Sequence, residues 1–233
     1  MPDQDRKPTC PLLKLEYAAQ VVGLFAQVTV KQFFNNQSEQ PIEAVYVFPL
    51  PEEASVTGAT LQIGQKEVVA ELKEKKQARQ EYEDAVSAGH HGGLLEQKRP
   101  NIFTINVGGI EPGEDIQAIV TYTQPVPWQD GGGRFTIPTV VPPRFIPGAP
   151  TGKSGGGWAP DTDQVPDASQ ITPVVSNDGV PYTVSVTARF DPGFDCSVRS
   201  PSHELLLPFD SIESGGSREL KLDHLTPDRD IIV

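Results

Sequence analysis

Long apolar runs are missing from this sequence, and cysteine is scarce. No stretch approaches the ~20 apolar residues of a membrane-spanning helix, and the N-terminus lacks the apolar segment of a signal peptide. We therefore expect no membrane insertion. Cys10 and Cys196 lie far apart, without the Cys/His spacing of a zinc site. Together these absences favour a cytoplasmic location, and leave an extracellular one open if the sequence is a piece of a longer protein.

Basic residues are also in short supply. The chain has 19 Lys and Arg against 31 Asp and Glu, which gives a formal net charge of −12 and a pI near 4.7. Such a field repels phosphate groups and anionic lipid headgroups. Nucleic acid is therefore not an expected partner.

What is abundant is turn-forming residues, with 23 prolines and 21 glycines in 233 positions. Between the turns, apolar residues alternate with polar ones, which is the pattern of half-buried strands. The clearest runs are Ala26 to Val30, Ile42 to Phe48, Phe103 to Val107, Ile116 to Tyr122 and Tyr182 to Phe190. The pattern predicts a mainly β fold with antiparallel hairpins.

One segment has helical periodicity instead. Ala78, Tyr82, Ala85 and Val86 fall on one stripe of an α-helix that runs from about residue 74 to 88. Basic residues crowd its N-terminal half and acidic residues its C-terminal half, which opposes the helix dipole. We therefore expect packing of this stripe on a sheet, rather than intrinsic propensity, to hold the helix.

The stretch AGHHGGLLEQKRPNIFTINV, which spans Ala88 to Val107, is either a reaction centre or a structural corner. His90 and His91 are adjacent and have no third ligand at a usable spacing, so neither a metal nor a cofactor is predicted. No catalytic motif is present, and side chains adjacent on a strand are not expected to converge, which argues against Ser202-His203-Glu204 as a catalytic group. The part of this stretch from Gly89 to Pro100 is interpreted as a structural or interaction loop that leads into the strand at Phe103. Its candidate residues are Gly89, His90, His91, Leu94, Leu95, Glu96, Arg99 and Pro100. Glu96, with Lys98 and Arg99, could form an exposed ion pair or mark the entrance to a hairpin.

Several motifs in order resemble one known family. They are IEAVYVFPLP, VVAELKEKKQARQEYEDAV, GHHGGLLEQKRPNIFTINVGGIEPGE, VTYTQPVP and DRDIIV. This series resembles the VIT domain, the vault-protein/inter-α-trypsin module that precedes a von Willebrand factor type A domain. TIPTVVPPRF and SPSH also look like this family, so the resemblance covers nearly the whole chain.

The resemblance implies an antiparallel β-sandwich with one helix packed on it. It also implies a single domain over residues 1–233, with its core at about 12–141, a Pro/Gly-rich excursion at 142–180 and C-terminal strands at 181–233. The implied role is a non-enzymatic scaffold or protein-interaction module that packs against an adjacent type A domain or another protein. The candidate contact is an open C-terminal strand with Arg229, Ile231 and Val233.

Two other function classes are weighed against this one. A carbohydrate or matrix-binding module requires clustered exposed aromatics, and Trp128 and Trp158 are the only tryptophans. A hydrolase or metalloenzyme requires the His90/His91 loop, Glu96 and His203 to converge.

Overall fold

The computed structural model describes residues 12–70, 75–141, 145–152, 157–172, 180, 182–204, 212–213 and 215–233. The strands within these ranges are β1 (Leu12–Val22), β2 (Phe25–Asn35), β3 (Ile42–Pro49), β4 (Ser55–Ile63), β5 (Lys66–Val69), β6 (Gly92–Arg99), β7 (Ile102–Ile110), β8 (Asp115–Pro125), β9 (Trp128–Gln129), β10 (Gly132–Gly133), β11 (Thr136–Ile137), β12 (Thr183–Asp191), β13 (Arg218–Leu225) and β14 (Ile231–Ile232). The helices are α1 (Lys75–Ser87) and α2 (Ala168–Ile171). The mainly β prediction is confirmed.

The strands form two principal layers. A seven-stranded sheet has the order β13-β12-β1-β2-β8-β4-β5, and a three-stranded sheet has the order β3-β7-β6. Two small pairs, β9 with β10 and β11 with β14, complete the set found in the described residues. All pairings are antiparallel except one, because β1 runs parallel to β12 with Lys14 opposite Thr183. The larger sheet is therefore mixed.

The two layers share one apolar core, because alternate residues of each strand point inward. In the larger sheet this face includes Val28, Val120 and Val186, all almost fully buried. Phe34 on β2 meets Tyr46 on β3 edge to face, with 5.2 Å between ring centroids. The alternation predicted for these strands is confirmed, and it produces a sandwich.

The smaller sheet is covered on its other face by α1. Consecutive residues of β7 from Ile102 to Ile105 are all buried, so this strand has no solvent face. Two glycines allow the helix to approach closely: a Cβ at Gly92 would lie 3.2 Å from Tyr82, and one at Gly108 would lie 2.3 Å from Val86 Cγ2. The predicted helix and its packing on a sheet are confirmed, with residue 74 outside the described residues.

The 142–180 segment contains folded structure where it is described. Residues 157–172 include α2, a four-residue helix that the sequence pattern does not predict. The buried Asp161 carboxylate accepts hydrogen bonds from the backbone N–H and the hydroxyl of Ser169, at 2.9 and 2.7 Å. This bonding holds α2 against the rest of its own segment. Nowhere in the described ranges is a helix both long and apolar enough to cross a bilayer.

Candidate functional site

The loop after α1 is fixed by a helix-terminating motif at Gly89. Gly89 has φ +74°, and its N–H donates to the Val86 carbonyl at 3.0 Å. The His90 N–H donates to the Ala85 carbonyl at 2.9 Å. This pair of bonds is the Schellman motif, in which a left-handed residue satisfies the last carbonyls of a helix. Gly89 therefore closes α1 and begins the connection to the next strand.

His90 and His91 therefore lie in a short connection between α1 and β6. Residues Gly92–Arg99 already belong to β6, so the connection is shorter than the loop predicted from Gly89 to Pro100. It packs closely on β7, because a Cβ at Gly109 would lie 2.9 Å from the His90 carbonyl oxygen. Across the described ranges, no three His, Cys, Asp or Glu side chains are grouped where they could hold a metal ion.

Leu94 and Leu95 point to opposite faces of β6, as neighbours on a strand must. Leu95 packs against the core between the two sheets. Leu94 is buried on the other face, the same face as Gly92 and Glu96. Pro100 follows at the turn into β7, where its carbonyl accepts a hydrogen bond from the Gln97 side chain at 3.1 Å. The whole stretch forms a packed corner between α1, β6 and β7.

Glu96 is a buried charged residue of the predicted loop. Its side chain is only 4% exposed, and Oε2 accepts hydrogen bonds from Arg79 Nη2 at 2.5 Å and Lys98 Nζ at 2.9 Å. Lys98 is itself 8% exposed and also donates to Gln170 of α2 at 3.2 Å. The expectation of an exposed ion pair is wrong, because α1 and α2 cover this face of β6. The group ties both helices to the strand.

Arg99 makes a second link between β6 and the α2 segment. Its guanidinium donates to both carboxylate oxygens of Asp167, at 2.7 and 3.0 Å. The bond from Arg99 lowers the pKa of Asp167, and the same bond raises the pKa of Arg99. A bidentate pair of this kind fixes orientation as well as charge. Arg99 therefore links β6 to the α2 segment within this chain.

The predicted C-terminal contact strand is not open. Phe135 and Val233 exchange two backbone hydrogen bonds, at 2.8 and 2.9 Å, so β14 is paired with β11. Ile231 is buried in the core of this chain, and the Arg229 carbonyl accepts a bond from the Thr139 hydroxyl at 2.8 Å. The expectation of an unpaired strand is wrong, because Thr136 and Ile137 of β11 lie opposite Ile232 and Ile231. Of the three residues, Arg229 has the most exposed side chain.

The opposite edge of β14 is closed by two serine hydroxyls. Ser202 Oγ accepts the Ile232 N–H at 2.8 Å, and Ser200 Oγ donates to the Ile232 carbonyl at 2.6 Å. These are the serines of the SPSH motif. Ser202 Oγ also lies 2.8 Å from His203 Nδ1, so the expectation that these adjacent side chains would not meet is wrong. Burial and the charge of Arg229 lower the pKa of His203.

One end of the larger sheet exposes apolar side chains that the sequence pattern did not single out as a group. Trp128 packs edge to face on Phe194 with 5.7 Å between ring centroids, and both side chains remain substantially exposed. Leu24 and Trp128 both flank Gly133, each 3.8 Å from the position of a Cβ there. We name Leu24, Trp128 and Phe194 the aromatic end. Phe25, which is 67% exposed, follows Leu24 directly.

An open cleft of about 460 Å³ adjoins the aromatic end. Gly133, which touches the aromatic end, also lines this cleft, as do Arg134, Arg199, Ile232 and Val233. Both arginines are exposed. We name this feature the arginine cleft. Apolar and basic side chains are thus combined on one surface beside the last strand.

Residues 12–122 match the family described as the Vault protein inter-alpha-trypsin domain, VIT. The matched range begins with β1 and ends within β8, so it contains α1, the corner at Gly89 to Pro100 and the whole smaller sheet. The aromatic end beyond Leu24, the arginine cleft and β14 lie outside it. The family predicted from the motif order is confirmed.

The curated relatives are longer proteins. Protein mono-ADP-ribosyltransferase PARP4 of Mus musculus is 41% identical over 133 residues, which are 57% of this chain and 7% of that protein. Von Willebrand factor A domain-containing protein 5A of Homo sapiens is 32% identical over 189 residues, which are 80% of this chain and 22% of that protein. The chain therefore spans less than a quarter of either relative. Homologues carry von Willebrand factor A (VWA) domains beyond the VIT region.

Likeness to solved structures is weak. An M1 zinc metallopeptidase from Deinococcus radiodurans aligns with a TM-score of 0.43 at 11% identity, over 98% of this chain and 42% of that one. A score this low does not establish a shared fold, and no function is taken from it.

Proposed function

Because residues 12–122 form a VIT domain, we propose that the chain is a non-catalytic interaction module that holds a VWA domain in a fixed position. Homologues carry such a domain beyond the VIT region, which supports the choice of a VWA domain as the partner.

The anchoring of β14 is the observation that carries this proposal. Ile232 is bonded on one edge to Ser200 and Ser202, while its neighbour Val233 is bonded to Phe135 on the other edge. A strand held on both edges cannot swing as a flexible tether does. A domain that follows such a strand is held close to the body of the VIT domain.

The residues that an enzyme would require, Glu96 and His203, are also consistent with a non-catalytic module. Glu96 is committed to Arg79 and Lys98, and His203 lies beside Ser202 at the edge of β14. These groups have structural partners on separate elements. A role in packing accounts for each of them without a chemical step.

The first experiment compares hydrogen exchange in the chain alone and in a tandem protein. In the tandem protein, Val233 is followed directly by the VWA domain of human von Willebrand factor A domain-containing protein 5A. We expect amides of β11 and β14 to exchange more slowly in the tandem protein. Unchanged exchange in both strands would count against the proposed function.

The double variant Ser200→Ala/Ser202→Ala tests the anchor itself. It leaves the Ile232 N–H and carbonyl without their hydroxyl partners, at about 0.5–1.5 kcal/mol for each lost hydrogen bond. We expect the Ile232 amide to exchange roughly tenfold faster, since ~1.4 kcal/mol corresponds to a factor of ten. Ser55→Ala, at an exposed serine that begins β4, is the control and should leave this amide unchanged. Equal exchange in the double variant and the parent would show that the serines do not hold β14.

A further inference from the structure

We infer that the aromatic end and the arginine cleft together form the surface on which the VWA domain docks. The inference rests on the proposed function and adds the location and chemistry of the contact. The partner surface should present an apolar side chain to Trp128 and a carboxylate to Arg134 or Arg199.

The composition of this surface is that of a protein-binding site. Contiguous exposed apolar side chains on a folded domain mark interaction surfaces more often than scattered single ones do. Trp and Arg are also the residue types most enriched among those that dominate binding energy. Trp128 is 50% exposed and packs edge to face on Phe194, a contact that restricts its side chain before binding and so lowers the entropy lost on binding.

The position of this surface favours the VWA domain as its occupant. Val233 lines the arginine cleft, and Gly133 joins that cleft to the aromatic end. β14 is fixed on both edges, so a domain that follows Val233 begins beside this surface. A VWA domain joined directly to Val233, as in the tandem protein, therefore has a higher effective concentration at this surface than at more distant surfaces.

The charge of the surface is opposite to that of the chain as a whole. The chain carries a formal net charge of −12, yet Arg134 and Arg199 both line the cleft. Asp130 and Asp195 lie near the aromatic end in sequence, so the basic character belongs to the cleft. We therefore expect a carboxylate of the partner to contact the cleft and an apolar side chain of the partner to contact Trp128.

A carbohydrate is a less suitable occupant. Sugar rings need flat aromatic faces, but the rings of Trp128 and Phe194 meet at 78° and do not form a common platform. Trp158, the second tryptophan, lies apart from them in the α2 segment, where its backbone N–H donates to the Thr172 carbonyl at 3.2 Å.

The test uses the tandem protein with hydrogen exchange resolved to residues 128–134. We expect exchange in this segment to be slower in the tandem protein than in the chain alone by roughly tenfold. The variant Trp128→Ala/Phe194→Ala should abolish this difference. The charge reversal Arg134→Glu/Arg199→Glu should also abolish it, and it changes only exposed side chains.

The matched controls are Trp158→Ala and Arg218→Glu. Trp158 is 44% exposed, close to the value for Trp128, and Arg218 is an exposed arginine at the start of β13. Both control variants should keep the slow exchange of residues 128–134. If the aromatic double variant alters the circular dichroism of the isolated chain, the charge reversal alone decides the test.

The outcomes separate this inference from the function on which it rests. Slower exchange in β11 and β14 without a change at residues 128–134 would overturn the docking surface and leave the proposed function standing. No slowing anywhere in the tandem protein would overturn both. If light scattering shows that the chain alone is a dimer, and Trp128→Ala/Phe194→Ala makes it monomeric, the occupant is a second copy and the inference is wrong.

Discussion

Replacement of Glu96 by alanine is expected to destabilise the domain by about 3–5 kcal/mol, the usual cost of removing one partner from a buried ion pair. The variant leaves the Lys98 ammonium, on a side chain that is 8% exposed, without its carboxylate. It also removes the bond to Arg79, which links α1 to β6. Urea unfolding of the variant and the parent chain measures the difference.

A surface pair on another strand is the matched control. Glu219 and Lys221 have the same spacing in sequence and a similar separation, 2.8 Å, but both side chains are more than half exposed. Ion pairs of this kind contribute little in water, so Glu219→Ala should leave the unfolding midpoint almost unchanged. Equal effects of Glu96→Ala and Glu219→Ala would show that burial of Glu96 has no energetic consequence.

A double variant separates the loss of charge pairing from the loss of side-chain volume. In Glu96→Leu/Lys98→Met both charges are replaced by apolar groups of similar size, a change that is often neutral in protein interiors. Arg79, whose side chain is 45% exposed, can turn to water. We expect this variant to recover most of the stability lost in Glu96→Ala.

The second large effect is expected at Gly108, on β7 beneath α1. An alanine Cβ there would lie 2.3 Å from Val86 Cγ2 and 3.1 Å from Val86 Cγ1, so the Val86 side chain or the helix that carries it must move. Overpacking of this kind costs about 1–3 kcal/mol. The free energy of unfolding of Gly108→Ala, compared with the parent chain, measures this cost.

Val86→Ala should relieve the clash, because it removes both of the methyl groups involved. Gly108→Ala/Val86→Ala is therefore expected to be more stable than Gly108→Ala alone. Gly58→Ala is the control, since a Cβ at Gly58 of β4 meets no atom within 4 Å. Without such rescue, the packing of α1 through Val86 and Gly108 would be disproved.

Local periodicity predicted most of the individual elements. The stripe of Ala78, Tyr82, Ala85 and Val86 is the face of α1 that packs on the sheet, even though the charges of the helix oppose its dipole. Burial of apolar area outweighs such charge effects. The turn at Gly64 and the helix end at Gly89 also follow directly from the freedom of glycine to adopt positive φ, which both residues do.

Local periodicity does not predict which distant strands pair with each other. β1 shows alternation at Leu15, Tyr17, Ala19 and Val21, but it is not among the strands that the sequence analysis predicts. Its parallel partner β12 is the best alternating segment in the sequence, yet no local pattern states which strands will be neighbours. The mixed character of the larger sheet follows from this single pairing.

The candidate sites could be predicted from the sequence even less well than the strand pairing, because they are formed by tertiary contacts. Glu96 is buried because α1 and α2 cover it, and no feature of the sequence around Glu96 indicates that cover. The aromatic end brings Leu24, Trp128 and Phe194 together from three separate segments. By contrast, two of the family motifs do indicate one contact of the structure. The two serines of SPSH contact Ile232 in the DRDIIV motif.

The central claim is that the VIT domain holds a VWA domain rigidly, and nuclear spin relaxation of backbone ¹⁵N tests it most directly. In the tandem protein, amides of both domains should report one rotational correlation time, appropriate to the mass of the whole protein. Two different correlation times, each close to that of a separate domain, would contradict the claim.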